Sequence, residues 1–459
     1  MTMSVQAQEH APVLPASAAY RAALRLGVAL APALGVLSPR LRRTIAARRN
    51  AGERLLHWAR SNRDDARPLV WFHAASVGEG LQAEIVLRHL RQRLPACQIV
   101  YTHFSPSAER FASGIGVDVA DYLPYDLPIY AEALLTAVRP DLLVFAKLDL
   151  WPELATRASA NGTDVAIIAA TVRPRSGRLR WPARAMLQPG YTAVAAAAAV
   201  SAEDGIRLGQ LGVASDRIRV LGDPRFDSVT QKVAQVSSAD PLLRLGQDAP
   251  TLVAGSTWAP DETVLLKAFA GLRRTRSNAR LILVPHEPTE GHLGSIERKA
   301  ALAGLPQPVR LSTGRGTAPL VLVDRVGLLA TLYGAGSMAY VGGGFGKAGL
   351  HSVLEPAAWA VPVAFGPHWD DSRDAALLLN GGGGVALPSR HPARAASALE
   401  EQWDNWIRDD TGRAAQGRHA RLVVESGIGA AERSTEMLLE LISSRPPRTS
   451  PSGGRSTRR

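Results

Sequence analysis

The feature that most constrains the fold is an alternation of short apolar runs with stretches of helical periodicity, beginning at Pro68. The first run, Leu69 to Ala75, precedes apolar residues that recur every three or four positions up to residue 94. Further runs lie at Gln98 to Phe104, Leu142 to Ala146, Val165 to Ala169, Thr192 to Val200 and Ile218 to Leu221. Because strand–helix–strand units connect parallel strands with a right-handed crossover, this pattern predicts an α/β fold with a parallel sheet.

A polar, irregular stretch at residues 228–249 interrupts the alternation, which then resumes. The later runs are Thr251 to Ala254, Arg280 to Val284, Pro319 to Val323, Met338 to Gly342 and Val361 to Phe365. A chain of 459 residues is too long for one ordinary core. We therefore predict two Rossmann-like domains, residues 51–227 and 250–443, joined by this linker and facing a cleft, with a disordered basic tail at 444–459.

The net charge of +12 favours anionic partners. No basic stretch carries the interleaved aromatic residues that stack bases, so we expect no nucleic-acid partner. The single cysteine, Cys97, cannot form an internal disulfide and lies in an apolar run, which indicates a buried thiol in a reducing, cytoplasmic compartment. The sequence does not indicate an oligomeric state.

Residues 1–50 contain an apolar run, Leu26 to Leu37, that is 12 residues long and includes Pro32. A membrane-spanning helix needs about 20 residues, and the twenty residues before Arg21 fit a cleaved signal peptide poorly. Arginines follow the run at positions Arg40, Arg42, Arg43, Arg48 and Arg49. We expect a peripheral or monotopic segment that contacts anionic inner-leaflet lipids; the alternative is an amphipathic helix packed on the first domain.

A glycine-rich loop, Gly344-Phe-Gly346-Lys-Ala-Gly349, matches the GxGxxG pattern between a predicted strand and a predicted helix, Leu350 to Ala360. A dinucleotide site would need an acid at a strand end about 20 residues on. Asp370 and Asp371 instead follow a second strand and a loop. The loop is therefore interpreted as a phosphate-binding element for a sugar nucleotide.

His351 and Glu355 lie four positions apart after this loop and are predicted on one face of that helix. A carboxylate binds a bare phosphate poorly, so we expect Glu355 to contact ribose hydroxyls. The alternative is a charge on the helix surface.

Several short segments, each weak alone, occur in one order along residues 68–390. They are Trp71-Phe-His-Ala-Ala-Ser-Val-Gly-Glu79, Thr102-His-Phe-Ser-Pro-Ser107, Tyr122-Leu-Pro-Tyr-Asp126, Leu150-Trp-Pro152, Gly222-Asp-Pro-Arg-Phe-Asp227, Ala254-Gly-Ser-Thr-Trp258, Pro285-His-Glu-Pro288, Gly342-Gly-Gly-Phe-Gly346, His351 and Leu354-Glu-Pro356. In this order they resemble the 3-deoxy-D-manno-octulosonic acid (Kdo) transferases, which attach Kdo to the lipid A precursor.

The resemblance implies a GT-B glycosyltransferase fold, CMP-Kdo as donor and lipid IVA as acceptor, at the cytoplasmic face of the cell inner membrane. It implies that Glu79 is the general base and that the second domain binds the donor. The residues it places near the donor are Ser256, Pro285, His286, Gly342, Gly343, Gly344, His351 and Glu355. Arg225, in the Gly222–Asp227 segment, is a further candidate.

One segment departs from the family pattern, which often reads Glu-x-Glu-Leu-Trp-Pro-Asn. Here it reads Lys147-Leu-Asp149-Leu-Trp-Pro-Glu153, so a base replaces the first acid and a shorter Asp149 keeps the second. Only five of the 53 basic residues are lysines. Because lysine offers a compact point charge, we expect Lys147 and Lys347 to contact anions of the donor or acceptor; chance placement is the alternative.

The position of Glu79 supports its assignment independently, because it lies where a strand passes into a helix. The helix dipole favours its ionised form, Gly78 leaves room for an acceptor, and Ser76 is a candidate helix cap. Alternatively, Glu79 is a first-turn acid that only satisfies the dipole. No HExxH, cysteine-rich or EF-hand spacing occurs, so we expect neither a metal nor a cofactor.

Three rival functions remain open from the sequence: a GT-B transferase that uses a UDP-sugar and a lipid-linked acceptor, a non-catalytic binding protein of the same fold, and a dehydrogenase. The number of Kdo units transferred and the acylation of the acceptor are not encoded in any recognisable pattern.

Overall fold

The structure is a computed structural model that describes residues 15–48, 50–314, 318–346 and 349–445. The chain divides into two compact units: unit 1 comprises residues 1–227 and 429–459, and unit 2 comprises residues 228–428. Each unit contains a seven-stranded sheet whose neighbouring strands are all parallel. The predicted α/β fold class is therefore confirmed.

The sheet of unit 1 follows the order β3-β2-β1-β4-β5-β6-β7. Its strands are β1 (Leu69–His73), β2 (Gln98–His103), β3 (Val119–Tyr122), β4 (Leu142–Ala146), β5 (Asp164–Ala170), β6 (Ala196–Ala199) and β7 (Ile218–Val220). Successive side chains enter opposite faces, so that Leu69 and Trp71 belong to one buried cluster and Val70 and Phe72 to another. Two-sided burial explains why the central strands are continuous apolar runs.

Helices cover both faces of this sheet. They are α1 (Ala18–Leu37), α2 (Pro39–Arg48), α3 (Ala51–Asn62), α4 (Val77–Arg93), α5 (Glu109–Ala112), α6 (Pro128–Val138), α7 (Pro152–Ala160), α8 (Ala183–Thr192) and α9 (Ala202–Leu211). The strand order reverses between β1 and β4, and ligands of such sheets bind outside the carboxyl ends of the strands at this reversal.

A second helix-covered sheet, ordered β10-β11-β9-β8-β12-β13-β14, forms unit 2. Its strands are β8 (Thr251–Thr257), β9 (Arg280–Pro285), β10 (Val309–Arg310), β11 (Leu320–Leu322), β12 (Met338–Val341), β13 (Val363–Phe365) and β14 (Gly384–Ala386). Its helices are α10 (Arg225–Gln235), which begins in unit 1, α11 (Ala259–Leu272), α12 (Glu290–Leu302), α13 (Leu329–Leu332), α14 (Leu354–Ala358), α15 (Arg373–Asn380), α16 (Pro392–Arg408) and α17 (Asp410–Ser426). Here the order reverses between β8 and β12.

Two regions differ from the sequence-based boundaries. The stretch 228–249 is not wholly irregular, because α10 continues to Gln235. The last helix, α18 (Ala430–Ser443), belongs to unit 1, where Ala431, Met437 and Leu438 join the apolar cluster of β1 and α4. Asp227 accepts the N–H groups of Gly429 and Ala431 and so holds the start of α18. The spacing of apolar residues along a helix does not show which unit the helix packs on, so this return of the chain to unit 1 could not be predicted.

The first turn of α1 is attached to unit 1 by polar contacts. The Tyr20 hydroxyl donates to Asp126 over 2.8 Å. Arg21 forms two hydrogen bonds, of 2.7 and 3.1 Å, with Glu153, whose side chain has no exposed surface. Further along α1, Leu26 and Leu30 are exposed. Within the described ranges, no helix is long and apolar enough to cross a membrane.

Arg48 was expected to contact lipid headgroups, but its side chain is buried. Its side chain is 5% exposed, and its guanidinium lies 3.3 Å from the centroid of the Phe104 ring. Burial lowers its pKa to about 10, and the neighbouring Tyr125 acts in the opposite direction. Arg42 and Arg43 are exposed as expected. The side chain of Arg40, all of Arg49, residues 1–14 and the tail from 446 lie outside the described residues.

Arg21→Ala is expected to lower the free energy of unfolding by about 2 kcal/mol, because it removes two charge-assisted hydrogen bonds from a buried carboxylate that keeps, among the described side chains, only Arg157. Urea denaturation followed by circular dichroism measures the change. The control is Arg421→Ala, which removes an exposed ion pair with Glu425 and should cost less than about 0.5 kcal/mol. Equal effects of both substitutions would contradict a stabilising role for Arg21.

Candidate functional site

The loop that leaves β1 places Glu79 at the start of α4. Ser76 is the N-cap of α4, and its hydroxyl accepts from the Glu79 N–H, while the Glu79 carboxylate accepts from the Ser76 N–H and hydroxyl over 3.1 Å each. This is a capping box, which satisfies two amides that the helix leaves unpaired. The predicted cap is therefore present. Glu79 is half-buried, and its cap position does not consume both carboxylate oxygens, since the hydrogen bonds use Oε2.

Gly78 precedes Glu79 and is exposed. A Cβ added there would meet no atom within 4 Å, whereas one added at Gly80 would lie 2.5 Å from the Phe111 ring. Packing within the protein therefore requires glycine at 80 and leaves open space at 78.

Lys147 follows the last residue of β4, on the strand that neighbours β1. Its backbone has φ +57°, a left-handed conformation that few residues with a side chain adopt, and its N–H donates to the Ile168 carbonyl over 2.8 Å. Burial lowers its pKa, the positive charge of Arg225 acts in the same direction, and the charge of Glu79 opposes them. Lys147 and Glu79 are thus neighbours at the carboxyl edge of the sheet.

Asp149 lies two residues further and is held by a buried network. Its Oδ2 lies 3.1 Å from Nε2 of His73 and 3.4 Å from Nε1 of Trp151. The other ring nitrogen of His73 lies 3.0 Å from the Thr102 hydroxyl. Burial acts to raise the pKa of Asp149, but the hydrogen bond and charge of His73, the indole N–H of Trp151 and the charge of Arg178 lower it below its usual value. Asp149 is therefore fixed in position and ionised at neutral pH.

Arg225 reaches the same edge from the loop after β7. It donates to Asp223 over 2.9 and 2.7 Å, and Asp223 also accepts from the buried amide of Gln82 on α4 over 3.0 Å. Burial acts to raise the pKa of Asp223, and Arg225 lowers it to a net value below normal. Glu79, Lys147, Asp149 and the Asp223–Arg225 pair are called the unit 1 site below.

In unit 2, the predicted residues after β8 and β12 meet at the strand reversal. Ser256 has φ +51°, and a Cβ on Gly342 would lie 2.4 Å from its carbonyl oxygen. Gly343 has φ +97° and donates its N–H to Asp261 over 3.0 Å. Gly344 packs against Gly366, so that a Cβ would lie 2.7 Å from the Gly366 Cα. The glycines are therefore required for close backbone packing.

Asp261, on the first turn of α11, organises this loop. Its side chain is buried and accepts the Trp258 N–H, the Gly343 N–H and the Tyr340 hydroxyl over 2.9 to 3.0 Å. Burial raises its pKa, while these three hydrogen bonds act to lower it. The family resemblance places Gly343 near the donor, but its N–H is already occupied by Asp261.

Three rings form an aromatic cluster, Trp258, His286 and His351, beside the glycine loop. The Trp258 indole N–H donates to His351 Nε2 over 2.9 Å, and the rings of His286 and His351 stack with centroids 4.4 Å apart. His286 follows Pro285 at the end of β9 and donates its backbone N–H to Thr257. His351 precedes α14, so the prediction that His351 and Glu355 share a helix face is wrong.

The predicted helix 350–360 shortens to α14, five residues long, because the chain from Gly349 to Val353 turns back instead to pair the His351 N–H with the Gly342 carbonyl. Glu355 lies in its first turn and is half-buried. Burial raises its pKa, and Lys232, 3.9 Å away, acts to lower it. Lys347 lies outside the described residues.

Four residues of these two sites had no predicted role: His73, Trp151, Asp223 and Asp261. Three of them lay inside the quoted motifs, but their partners are distant in sequence: His73 and Asp149 are 76 residues apart. Asp261 had a local signal, since it stands three residues after Trp258 at the start of an apolar helical pattern, where a capping acid is expected.

Comparison with known proteins identifies relatives of the whole arrangement. Residues 49–228 match the profile of a family described as 3-deoxy-D-manno-octulosonic-acid transferase (kdotransferase). The chain is 30% identical to the 3-deoxy-D-manno-octulosonic acid transferase of Chlamydophila psittaci over 70% of this chain and 74% of that protein. It is 28% identical to the enzyme of that name from Haemophilus influenzae over 80% and 86%.

The fold is also similar to that of a solved epimerase. The crystal structure of UDP-GlcNAc 2-epimerase from Neisseria meningitidis, bound to UDP-GlcNAc, superposes with a TM-score of 0.58 and 14% identity, covering 82% of this chain and all of that one. At this identity the likeness shows the GT-B fold alone.

Protonation of His351 is expected to destabilise the fold. An unfolded histidine has a pKa near 6.5, whereas burial, assisted by the charge of His286, lowers the pKa of His351 to about 4. Between these values the unfolded chain binds a proton that the folded chain does not, so the free energy of unfolding falls as pH falls from 6.5 to about 4. His351→Gln keeps an acceptor for Trp258 and should flatten that decline in denaturation curves measured across this range. The control is His391→Gln on an exposed side chain; parallel curves for parent and His351→Gln would refute the assignment.

Proposed function

Because the chain belongs to the family of 3-deoxy-D-manno-octulosonic acid transferases, we propose that it transfers Kdo from CMP-Kdo to the lipid A precursor lipid IVA and releases CMP. The observation that supports this proposal is the unit 1 site. There Glu79, which forms a capping box with Ser76, and Lys147, whose backbone has a positive φ, lie close together at the strand reversal. Kdo is the sugar in the names of the relatives. The donor nucleotide and the lipid acceptor follow from the family resemblance of the motifs.

Glu79 is proposed as the general base. A bond forms between an acceptor hydroxyl oxygen and the anomeric carbon of Kdo, the bond from that carbon to the CMP phosphate oxygen breaks, and the hydroxyl proton passes to the Glu79 carboxylate. The carboxylate lies at the N-terminus of α4 and beside the ammonium group of Lys147. Gly78 leaves open space on its flank.

Lys147 and Arg225 are proposed to hold an anionic group of the reactants. Burial lowers the pKa of Lys147, because the charged ammonium group is poorly solvated. An anion bound beside it would stabilise the charged form. Asp149 is proposed as a catalytic or substrate-orienting acid, since His73 and Trp151 keep its carboxylate fixed.

CMP-Kdo is proposed to bind to unit 2, within residues 250–428. The aromatic cluster offers ring faces to a base, and the predicted donor contacts are Ser256, Pro285, His286, Gly342, Gly343, Gly344, Lys347, His351 and Glu355. Glu355 suits ribose hydroxyls, because a half-buried carboxylate accepts hydrogen bonds from hydroxyl groups. Because the Gly343 N–H donates to Asp261, Gly343 is proposed to shape the loop.

We further propose that the protein acts at the cytoplasmic face of the cell inner membrane. Exposed Leu26, Leu30 and Val36 of α1 and exposed Arg42 and Arg43 of α2 support contact of the N-terminal segment with anionic lipids. The docked first turn of α1 would hold this segment to the catalytic unit.

Glu79→Gln is expected to lower the turnover of CMP-Kdo with lipid IVA by a factor on the order of 10²–10⁴, the usual contribution of a positioned base. Glutamine still caps α4, so thermal stability should stay close to that of the parent. Mass analysis of the lipid product measures turnover.

Ser76→Ala separates capping from base catalysis. It removes the hydroxyl that caps α4 and should cost about 1 kcal/mol of stability while it leaves the Glu79 carboxylate in place. If both variants lost turnover in proportion to stability alone, the base assignment would fail.

Glu355→Ala is expected to weaken CMP binding at least several-fold while UDP binding stays weak, as titration calorimetry with either nucleotide would show. Glu297→Ala is the matched control, since it removes another acid of unit 2, one that pairs with Arg310 over 2.9 Å. An unchanged CMP affinity would show that Glu355 does not bind the nucleotide and only pairs with Lys232. Preference for UDP in the parent would overturn the donor proposed here.

A further inference from the structure

An arginine-rich segment follows β5 in unit 1. Residues 173–184, called the arginine loop here, carry five arginines among twelve residues: Arg173, Arg175, Arg178, Arg180 and Arg184. All five are exposed. No aspartate or glutamate occurs from residue 165 to residue 202, so the loop has no acidic neighbour along the chain.

The five arginines also lack ion pairs with described residues. Several surface arginines elsewhere do pair with a carboxylate, as Arg91 does with Asp118 over 2.9 Å. None of the five arginines of the loop forms an ion pair with any residue that the structure describes. Like charges so close together repel one another and attract anions from outside the protein.

Trp181, within the loop, is 85% exposed. An indole has a large apolar surface and one N–H donor, a combination that settles at the boundary between lipid headgroups and acyl chains. One tryptophan among five arginines does not provide the succession of stacking rings that single-stranded nucleic acid requires. The composition therefore fits a phosphate-bearing lipid surface better than a nucleic acid.

The loop also lies beside elements already described. Arg178 is close enough for its charge to act on Asp149, and the charge of Arg173 acts on Lys147. Helix α8 begins at Ala183, in the same segment, and α1 with its exposed leucines packs against α8. A surface that binds the loop would thus lie next to both α1 and the unit 1 site.

We propose that the arginine loop is a membrane-contact surface in which the arginines bind phosphate headgroups of anionic lipids and Trp181 inserts at the interface. This surface is separate from the N-terminal segment. It goes beyond the transfer reaction, since lipid binding needs neither donor nor acceptor sugar. Its consequence for the reaction is that the unit 1 site is held at the bilayer surface.

The test is sedimentation of the full-length protein with vesicles of phosphatidylcholine containing one-third phosphatidylglycerol, and with phosphatidylcholine alone. One variant combines Arg175→Gln, Arg178→Gln and Arg180→Gln; a second carries Trp181→Ala. Each basic residue at an anionic surface contributes about fivefold to partitioning, so the triple variant should bind anionic vesicles on the order of 100-fold more weakly. Trp181→Ala should lower binding about tenfold or less, and high salt should narrow the difference between the parent and the triple variant.

Matched controls remove the same groups elsewhere. Arg274→Gln, Arg298→Gln and Arg418→Gln together remove three exposed charges from unit 2, and Leu302→Ala removes a side chain that is 89% exposed. Both controls should bind vesicles within about threefold of the parent. Equal losses in test and control triples would overturn the proposal, because they would reflect net charge alone.

Two more outcomes would also overturn it. One is a triple variant that binds anionic vesicles like the parent. The other is a triple variant that loses binding to a single-stranded oligonucleotide but not to vesicles. Inorganic phosphate at constant ionic strength separates headgroup binding from a free-phosphate site: full displacement of the protein from vesicles by millimolar phosphate would assign the loop to the free ion. Since every readout is vesicle or ligand binding, failure here leaves the transfer reaction to its own tests.

Discussion

Buried carboxylates that accept backbone N–H groups are the interaction on which both units depend. Asp126 accepts the N–H groups of Glu153 and Leu154 over 2.8 Å and so fixes the start of α7. Asp261 does the same for the loop after β12 through Gly343. A buried N–H without a partner costs about 1–3 kcal/mol, so each of these acids determines where a loop lies. The charge itself is costly to bury, and several hydrogen bonds per carboxylate offset that cost.

Strained backbone occurs at the carboxyl end of a strand in each sheet. Lys147 and Ser256 both have positive φ, at the carboxyl ends of β4 and β8 respectively. Such a residue with a side chain costs of order 1–3 kcal/mol and persists only where the surroundings over-determine it. Glycine would relieve the strain at either position but would remove the ammonium group or the hydroxyl. Both positions lie beside the strand reversal of their sheet, Lys147 after β4, the later of the two flanking strands, and Ser256 on β8, the earlier one.

Local sequence patterns predicted those parts of the fold that local forces determine. The central strands were found because burial on both faces makes them continuous apolar runs, whereas β3, β10 and β14 were missed because each is a short, half-exposed edge strand. The Ser76 cap was predicted because serine, a favourable N-cap residue, stands where the strand passes into the helix. The contact of His73 with Asp149 could not be predicted from local sequence, because it arises from the pairing of β1 with β4, two strands that are distant in the chain. The helix after the glycine loop was overextended, since the apolar pattern there reflects burial of an irregular segment.

The partners of the three carboxylates in the unit 1 site distinguish their chemistry. Asp223 is held by three hydrogen bonds from Arg225, one of them from its backbone N–H, and by one from Gln82, whereas Asp149 is held by His73 and Trp151. Glu79 accepts only from the amide and hydroxyl of Ser76 among the described residues, both through one oxygen. A carboxylate held by a cation or a buried imidazole loses those interactions when it binds a proton. The other carboxylate oxygen of Glu79, Oε1, accepts no hydrogen bond from any described residue. The capping box that stabilises α4 thus leaves one carboxylate oxygen of Glu79 without a described hydrogen-bond donor, which is consistent with the general-base role proposed for it.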